Sequence, residues 1–362
     1  MSSVKPKHPI ALALVGLFSE YIYSVNRRWG VPHELSLLLA VQTFLMIGAG
    51  FFCVWEIRDG WLRRWEGTNL AGEGRGGGVP LRSSCEQLVV EPLDVPVPGP
   101  GGVLSAAVVS RVTNGTRGHG RGTIVLCHGY SDTQADLGKY AFALALAGYE
   151  VVTYDARGQG LSKNVGSRND FFSRFHVDFP AVVDRVHALA ARSNLTLYAV
   201  GESVGASTVV TGGLADDRLA RVVGLATIAD HRRNLPRFPV PFSGKFWLKL
   251  RYAFYGVPQH PTEDVNRAIS PVHVVADLRR RWSGEVPWER HVNQKLLLVH
   301  AKNDKIIPAS RLEQNVAAAG LHGDNHFTFR RGGHTFLRQE TKVVGLLCAA
   351  LRVTSPEVDR RE

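Results

Sequence analysis

Ser203 has the sequence setting of a nucleophile. It is the central residue of a G-x-S-x-G pattern, between Gly201 and Gly205, after the apolar run Leu195–Val200 and before the helix-like sequence ASTVVTGGL. Between a strand and a helix, glycines at these two positions allow a sharp turn that projects the serine hydroxyl above the sheet, at the positive end of the helix. The pattern therefore predicts Ser203 as a nucleophile, with Gly201 and Gly205 supporting its turn.

Two further residues could activate that serine. A serine hydroxyl is a weak nucleophile that needs a base, and the base needs a carboxylate to orient it. Asp304 follows the apolar run Lys295–His300, and His334 follows the next run, His326–Phe329. Alone, Asp304 could be a cap or turn residue and His334 a surface histidine. Their placement after consecutive runs, in the order serine, acid, histidine, favours a catalytic triad.

The loop after Thr123–Cys127 could stabilise an oxyanion. Backbone amides after an early strand and after the nucleophile can supply this stabilisation in acyl transfer. The loop reads His128-Gly129-Tyr130, so we expect the amides of Tyr130 and Val204 to form the oxyanion hole. We interpret His128 as a support of the loop through hydrogen bonds rather than as a base, and Gly129 as part of the same support.

These residues need a sheet that brings strand ends together. Short apolar runs alternate with helical patterns, which predicts an α/β fold with a mainly parallel sheet flanked by helices. The strand-like runs are Gln87–Leu93, Val103–Val112, Thr123–Cys127, Glu150–Tyr154, Leu195–Val200, Val222–Ile228, Lys295–His300 and His326–Phe329. The helical patterns are Ala135–Ala147, Asp178–Ala191, Val204–Leu214, Ala309–Ala319 and Phe336–Leu351. In such a sheet, function belongs at the carboxyl ends of the strands.

From about Gly122 to Leu351 the chain resembles the α/β-hydrolase superfamily, and within it the monoacylglycerol lipase, lysophospholipase and serine aminopeptidase-like branch. The matching stretches are HGYSDTQADLGKYAFALALAGYEVVTYDARGQGLS, VGESVGAS, HAKNDKIIP and GGHTF. The resemblance implies the α/β-hydrolase fold with a cap insertion, and the same triad and oxyanion amides. It also implies that the D-x-R-G-x-G-x-S loop, Asp155–Ser162, supports the rim of the site.

Two stretches depart from the pattern of that branch. The sequence GESVGAS lacks a second glycine found in many relatives, and HAKND stands where HG-x-x-D is usual. Neither departure removes a reacting group. The triad is therefore intact, while the subfamily and the substrate stay open.

The amino-terminal region carries the signature of a membrane anchor. Leu35–Trp55 is an uncharged run of 21 residues, and at 1.5 Å per residue such a helix spans about 30 Å, the thickness of the hydrocarbon core. An earlier run, residues 10–25, contains Glu20 and fits either a second span or an interfacial helix. Lys5 and Lys7 resemble the start of a signal peptide, but no convincing cleavage site follows, so uncleaved anchoring is favoured.

Charge counting suggests an orientation only for a two-span hairpin. Six basic residues would then flank the hairpin, against Arg27 and Arg28 in its short loop. The positive-inside rule places the catalytic domain in the cytosol under that topology. The sequons Asn114–Gly–Thr116 and Asn194–Leu–Thr196 test the opposite orientation.

No cofactor or metal is expected. Gly72, Gly74 and Gly77 satisfy a dinucleotide-binding pattern, but no strand precedes them, and a Gly/Arg-rich linker is the better interpretation. His322, His326 and His334 lie close in sequence, yet a metal there would conflict with the use of His334 as a base. No cysteine or carboxylate near them has the spacing of a metal ligand.

The segment that corresponds to the family's cap, about residues 231–293, is basic and aromatic. It holds eleven Lys or Arg against five Asp or Glu, more than half of the net charge of +11. These residues could contact a membrane headgroup region, or the aromatics could line an acyl pocket with the charges solvated outside. Nucleic acid is the least favoured partner because no nucleic-acid fold signature is present.

The whole chain is therefore predicted to be a membrane-anchored serine hydrolase. With 44% hydrophobic and 21% charged residues and four cysteines in 362, it is not a disordered, collagen-like or disulfide-scaffold protein. The expected domains are an anchor (1–66), a linker (67–84), a hydrolase domain (85–352) and a polar tail (353–362). The expected substrate is a lipophilic carboxylic ester, acylglycerol-like or lysophospholipid-like, and the expected partner is membrane lipid. A thioesterase, peptidase or acyltransferase, or an inactive binding protein, would use the same fold.

Overall fold

The chain divides into two compact units, residues 1–65 and residues 66–362. The computed structural model describes residues 8–28, 30–43, 86–99, 102–113, 116–117, 120–130, 132–166, 170, 172–234 and 261–351. The predicted linker (67–84) and tail (353–362) lie outside these residues, as does the middle of the predicted cap, 235–260.

The amino-terminal unit contains two described helical segments. Helix α1 is His8–Arg28 and covers the run in which an interfacial helix or a second span was predicted. Residues 33–43 are also helical (α2), and the rest of the predicted span, 44–55, lies outside the described residues. Over the residues that the structure describes, none of the helices is both long and apolar enough to cross a membrane.

The second unit is built on one mixed sheet. Its described strands are β1 (Glu86–Pro96), β2 (Val103–Thr113), β3 (Thr116–Arg117), β4 (Thr123–Cys127), β5 (Glu150–Tyr154), β6 (Leu197–Glu202), β7 (Leu219–Leu225), β8 (Leu296–Ala301) and β9 (His326–Phe329). Their order is β1-β2-β5-β4-β6-β7-β8-β9, with β3 on β2. The five pairs β5–β4, β4–β6, β6–β7, β7–β8 and β8–β9 are parallel. The β1–β2, β2–β3 and β2–β5 pairs are antiparallel. This is the predicted α/β-hydrolase architecture.

Helices cover both faces of this sheet. They are α3 (Gly138–Leu146), α4 (Phe179–Arg192), α5 (Val204–Gly213), α6 (His231–Asn234), α7 (Glu263–Ile269), α8 (Pro271–Arg281), α9 (Trp288–Lys295), α10 (Ser310–Ala319) and α11 (Glu340–Ala350). Residues of α4, α5 and α10 pack on one face of the sheet, and residues of α3 and α11 on the other.

The central strands are buried on both sides. Side chains toward the first face include Val125, Ala199, Val222 and Leu298. Side chains toward the second include Leu126, Val200, Val223 and Val299. Because successive residues of a strand point to opposite faces, two covered faces require a continuous apolar run rather than an alternating one. This explains why these strands were visible in the sequence.

Strand and helix ends differ from the prediction where the backbone turns sharply. Strand β7 begins at Leu219, three residues before the predicted Val222, because the exposed Ala220 and the partly exposed Arg221 separate the buried Leu219 from the apolar run. It ends at Leu225, since Ala226 has a φ of 54°. Helix α11 begins at Glu340 rather than Phe336, because Phe336 and Arg338 have φ values of 53° and 64°.

A buried ion pair joins the loop after β5 to the turn before α4. The Arg157 guanidinium donates to both carboxylate oxygens of Asp178, with Nε to oxygen distances of 3.0 and 2.9 Å. Both residues are buried. The ion pair ties the Asp155–Ser162 loop, for which the resemblance implied a role in supporting the rim of the site, to the segment before α4.

We expect Arg157→Met to lower the free energy of unfolding by about 3–5 kcal/mol, because it leaves the buried Asp178 charge unpaired. Arg232→Met is the matched control, since the Arg232–Glu263 pair is about half exposed on both sides and its charges stay solvated when they separate, so its loss should change stability little. Urea titration of the full-length protein measures both. Equal losses in the two variants would contradict this account.

Candidate active site

The parallel sheet brings the predicted catalytic residues to one edge. Cys127, the last residue of β4, pairs with Gly201 of β6, and Gly201 pairs with Gly224 of β7. Ser203, Asp304 and His334 follow the carboxyl ends of β6, β8 and β9. Three segments that are distant in sequence therefore meet at one place.

The side chains of Ser203, His334 and Asp304 form one hydrogen-bonded series. His334 Nε2 lies 2.8 Å from Ser203 Oγ, and His334 Nδ1 lies 2.8 Å from Asp304 Oδ2. Ser203 and Asp304 are buried, whereas the His334 side chain is 20% exposed. In the neutral imidazole, Nδ1–H donates to the carboxylate and Nε2 accepts from the serine hydroxyl. The serine is thus poised to lose its proton to Nε2.

Asp304 is held in its charged form. Burial would raise the pKa of its carboxyl, but the hydrogen bond from His334 and those from the amides of Ile306 and Ile307 to Oδ1 bring it below its ordinary value. His300 Nε2 lies 3.5 Å from Asp304 Oδ2 and 2.9 Å from the Ile307 carbonyl. Burial lowers the pKa of His300, which favours a neutral ring beside the carboxylate.

The turn at Ser203 depends on close backbone packing. Ser203 has φ 61° and ψ −116°, and its amide donates to the Leu225 carbonyl at 2.8 Å. A Cβ on Gly201 would lie 2.1 Å from the Gly205 carbonyl oxygen, and a Cβ on Gly205 would lie 2.1 Å from the Cys127 carbonyl oxygen. Neither position can carry a side chain, because backbone occupies the space.

The loop predicted to hold the oxyanion lies against the nucleophile. His128 is buried, its Nε2 accepts from the Ala156 amide at 2.9 Å, and its Nδ1 donates to the Gly129 carbonyl at 2.8 Å. A Cβ on Gly129 would lie 3.3 Å from Ser203 Cβ. His128 thus braces the loop, and Tyr130 follows directly. Val204 starts α5, where the first amides of a helix have no acceptor within the helix.

The rim loop after β5 is organised by Asp155. Its Oδ1 accepts from the Gln134 amide at 2.7 Å, and its Oδ2 accepts from the Leu161 amide at 2.9 Å. Burial raises the pKa of Asp155 to about 6 despite these bonds. Gly160 has a φ of 48°, and a Cβ there would lie 2.3 Å from the same carboxylate. The loop conformation therefore requires both residues.

Three contacts of the site were not foreseen from the sequence. Lys139 of α3 pairs with Glu202 at 2.7 Å, Asn303 Oδ1 accepts from the Gly333 amide at 2.9 Å, and His300 lies beside Asp304. Glu202 and Asn303 directly precede Ser203 and Asp304 in the sequence, so inspection of the residues beside the triad could have found them. Lys139 has no such signal, because its role depends on a helix packed from elsewhere in the chain.

An apolar cluster lies beside the reacting groups. Its buried members are Phe175, Val204, Ile228, Ile269 and Ile307, and its partly buried members are Tyr130, Phe172, Val265 and Ile306. Val204 follows the nucleophile, Ile306 and Ile307 follow the acid, and Tyr130 belongs to the predicted oxyanion loop. Three of the segments that carry the site therefore contribute apolar side chains to one cluster.

Among the described residues, no group of three or more His, Cys, Asp or Glu side chains could hold a metal ion.

Many basic residues in the described part of the cap lie in exposed ion pairs. The pairs are Arg232–Glu263, Arg267–Glu263, Arg279–Glu289, Arg280–Asp277 and Arg281–Asp277. This arrangement is typical of a solvated outer face.

Comparison with known families agrees with this geometry. Residues 118–341 match the sequence profile described as serine aminopeptidase, S33. The chain belongs to this family. It is accordingly a serine hydrolase of the α/β-hydrolase superfamily. No curated protein shows significant sequence similarity to it.

Solved structures have the same fold at low sequence identity. The 2,6-dihydroxy-pseudo-oxynicotine hydrolase matches with a TM-score of 0.54 and 17% identity, over 96% of this chain and 90% of that one. The acylaminoacyl peptidase of Pyrococcus horikoshii matches with a TM-score of 0.50 and 16% identity, over 72% of this chain and 41% of that one. At these identities the likeness concerns the fold.

We expect Gly205→Ala to destabilise the protein by about 1–3 kcal/mol or more, because the added methyl group overlaps backbone that cannot move away. Labelling of the Gly205→Ala variant by a fluorophosphonate probe should also be slower than labelling of the wild-type protein. Gly345→Ala is the control: a Cβ added there would have no atom within 4 Å, and an alanine inside a helix should add about 0.5–1 kcal/mol of stability. Thermal unfolding and labelling rates check both, and an unaffected Gly205→Ala variant would contradict the packing argument.

Proposed function

We propose that this family member is a carboxylic ester hydrolase that cleaves lipophilic acyl esters, acylglycerol-like or lysophospholipid-like, through an acyl-enzyme. The observation that carries the proposal is the hydrogen-bonded series from Ser203 through His334 to Asp304. Ser203 is the nucleophile, His334 the general base and acid, and Asp304 the orienting carboxylate.

Acylation begins when Ser203 Oγ attacks the ester carbonyl carbon while His334 Nε2 takes its proton. The carbonyl π electrons move to oxygen, and a tetrahedral intermediate forms. The imidazolium is stabilised by Asp304, whose charge is maintained by the two amides on its other oxygen. His334 then gives the proton to the leaving alkoxide oxygen, the carbon–oxygen bond breaks, and the alcohol departs.

Deacylation repeats these steps with water. His334 Nε2 takes a proton from water as its oxygen attacks the acyl carbon, and then returns the proton to Ser203 Oγ as that bond breaks. One ester and one water thus become one acid and one alcohol. In both half-reactions the amides of Tyr130 and Val204 stabilise the oxyanion, the largest single contribution in many acyl transfers.

The apolar cluster beside Ser203 supports a lipophilic acyl group. A hydrocarbon chain leaving water gains about 0.8 kcal/mol for each buried CH₂ group. Since Val204 directly follows the nucleophile and Ile306 and Ile307 lie two and three residues after Asp304, an acyl group on Ser203 would lie near the apolar side chains of this cluster. Each added methylene that packs against these side chains should therefore improve kcat/KM.

We expect Ser203→Ala to abolish fluorophosphonate labelling and ester hydrolysis, because no other group would form the covalent bond. In-gel fluorescence of the full-length protein measures the labelling. Ser207→Ala is the matched control: this serine is also buried, one helical turn further along α5, and its variant should label normally. Persistent labelling of Ser203→Ala would refute the nucleophile assignment.

A screen with the wild-type protein tests the substrate class. Esters with acyl chains of increasing length should show rising kcat/KM, whereas the matched thioesters and amides should be slower at each length. A preference for amides would favour the peptidase alternative. A protein that neither labels nor hydrolyses any of them would support the inactive binding protein.

We further propose that residues 35–55 attach the enzyme to membrane lipid, with the catalytic domain in the cytosol. The proposal rests on the uncharged sequence of this run. The described part, α2, adds exposed apolar side chains: Leu35, Leu37, Leu38 and Val41 are 46–61% exposed. Exposed hydrocarbon on consecutive turns is unusual for a surface in contact with water alone.

We expect the full-length protein, translated with microsomal membranes, to resist carbonate extraction. Leu45→Arg should weaken retention, because a charge at the centre of a span costs about 2.5–3.5 kcal/mol. Ala71→Arg, in the predicted linker, is the control and should be retained. Asn194 is exposed, so its glycosylation would contradict the cytosolic orientation. Complete extraction of the wild-type protein would contradict the anchor.

A further inference from the structure

The Lys139 ammonium joins three elements of the site. Its Nζ lies 2.7 Å from Glu202 Oε2 and 3.0 Å from Oε1, and it donates to the Thr335 carbonyl at 3.3 Å. Lys139 belongs to α3, Glu202 is the last residue of β6, and Thr335 follows His334. One side chain therefore connects the residue before the nucleophile with the residue after the base.

The two neighbours of His334 are both tied to other parts of the site. The Gly333 amide donates to Asn303, the residue before Asp304, and the Thr335 carbonyl accepts from Lys139. The loop itself is unusual, because Gly333, Phe336 and Arg338 all have positive φ values. Such backbone persists only where its surroundings determine it. The bond from the Leu337 amide to the Gly332 carbonyl, at 2.8 Å, closes the loop, and the two tethers hold it on either side of the imidazole.

Glu202 gives Lys139 an electrostatic role as well. The carboxylate is buried, with 4% of its side chain exposed, while the Lys139 side chain is 26% exposed. Burial raises the pKa of Glu202, and Lys139 is the main group that opposes this rise. Tyr140, Asp132 and His334 also face the carboxylate, and Glu202 contributes to the raised pKa of Tyr140. Losing the lysine would leave a buried charge without its counter-ion.

We propose that Lys139 is a positioning residue that sets the place of the His334 imidazole by bonding Thr335, while neutralising the Glu202 carboxylate beside the nucleophile. The inference rests on the proposed function, because it assigns Lys139 to the triad of Ser203. It predicts two separable effects, one on geometry and one on charge.

Lys139→Met tests the geometric effect. Misplacing a catalytic group by about 1 Å can cost about a hundredfold in rate, so we expect fluorophosphonate inactivation at the pH optimum to slow by about tenfold or more. Lys139→Arg keeps the charge and a donor to Thr335 and should recover most of the rate. Lys342→Met, an exposed lysine of α11, should be unchanged. Thermal unfolding shows which variants are folded.

Glu202→Gln tests the electrostatic effect. It keeps Lys139 and its bond to Thr335 but removes the anion that pairs with Lys139, so the site gains a net positive charge. The acid limb of the pH profile for inactivation should therefore move to lower pH, by about half a unit to one unit. In the double variant Lys139→Met/Glu202→Gln, this shift should largely disappear while the slow plateau remains.

The outcomes separate the inference from the proposed function. If Ser203→Ala still reacts with the probe, the function itself fails. If labelling requires Ser203 but folded Lys139→Met reacts like the Lys342→Met control, only the role of Lys139 is refuted. A merely structural lysine would lower the unfolding temperature and leave the plateau rate and pH profile of the folded protein unchanged. Failure of Lys139→Arg to recover the rate of Lys139→Met would also overturn the positioning role.

Discussion

Close backbone contact at the end of β6 is the constraint on which the site depends. Gly201, Gly205 and Cys127 approach so closely that a methyl group at either glycine would overlap a carbonyl oxygen. This contact fixes the turn at Ser203, and the turn places Oγ opposite His334. Packing of main chain against main chain is rigid because it has no rotamers to relax. The main chain thereby holds Ser203 Oγ, the attacking atom, in a fixed place.

The sequence predicted the elements that have a short-range signal. Buried parallel strands are continuous apolar runs. The turn at Ser203 is marked by its glycine pattern, and Asp304 and His334 are marked by their positions after the ends of strands. The start of β7 was not predicted, because Ala220 is exposed and Arg221 is partly exposed. The pairing of Lys139 with Glu202 could not be predicted either, since it joins residues 63 positions apart. Contacts of this kind depend on how helices pack, which local propensity does not encode.

The buried charges of the site are stabilised by hydrogen-bonding and ionic partners rather than by water. Asp304 is bonded to His334 and two amides, and Glu202 is bonded to Lys139. A buried carboxylate without such bonds would take up a proton. The apolar cluster next to Ser203 strengthens these interactions, because it lowers the local dielectric constant. The same hydrocarbon that would receive an acyl chain therefore also makes the electrostatics of the triad effective.

The long separations between the paired residues have a consequence for how the enzyme is made. Ser203 and His334 are 131 positions apart, and Lys139 and Thr335 are 196 apart. Contacts that close such long loops form late, because the loss of chain entropy precedes any gain from the contact. A nascent chain that ends before β9 therefore lacks His334 and with it a complete triad. Activation of Ser203 by His334 thus requires the last described strand of the sheet as well as the turn after β6.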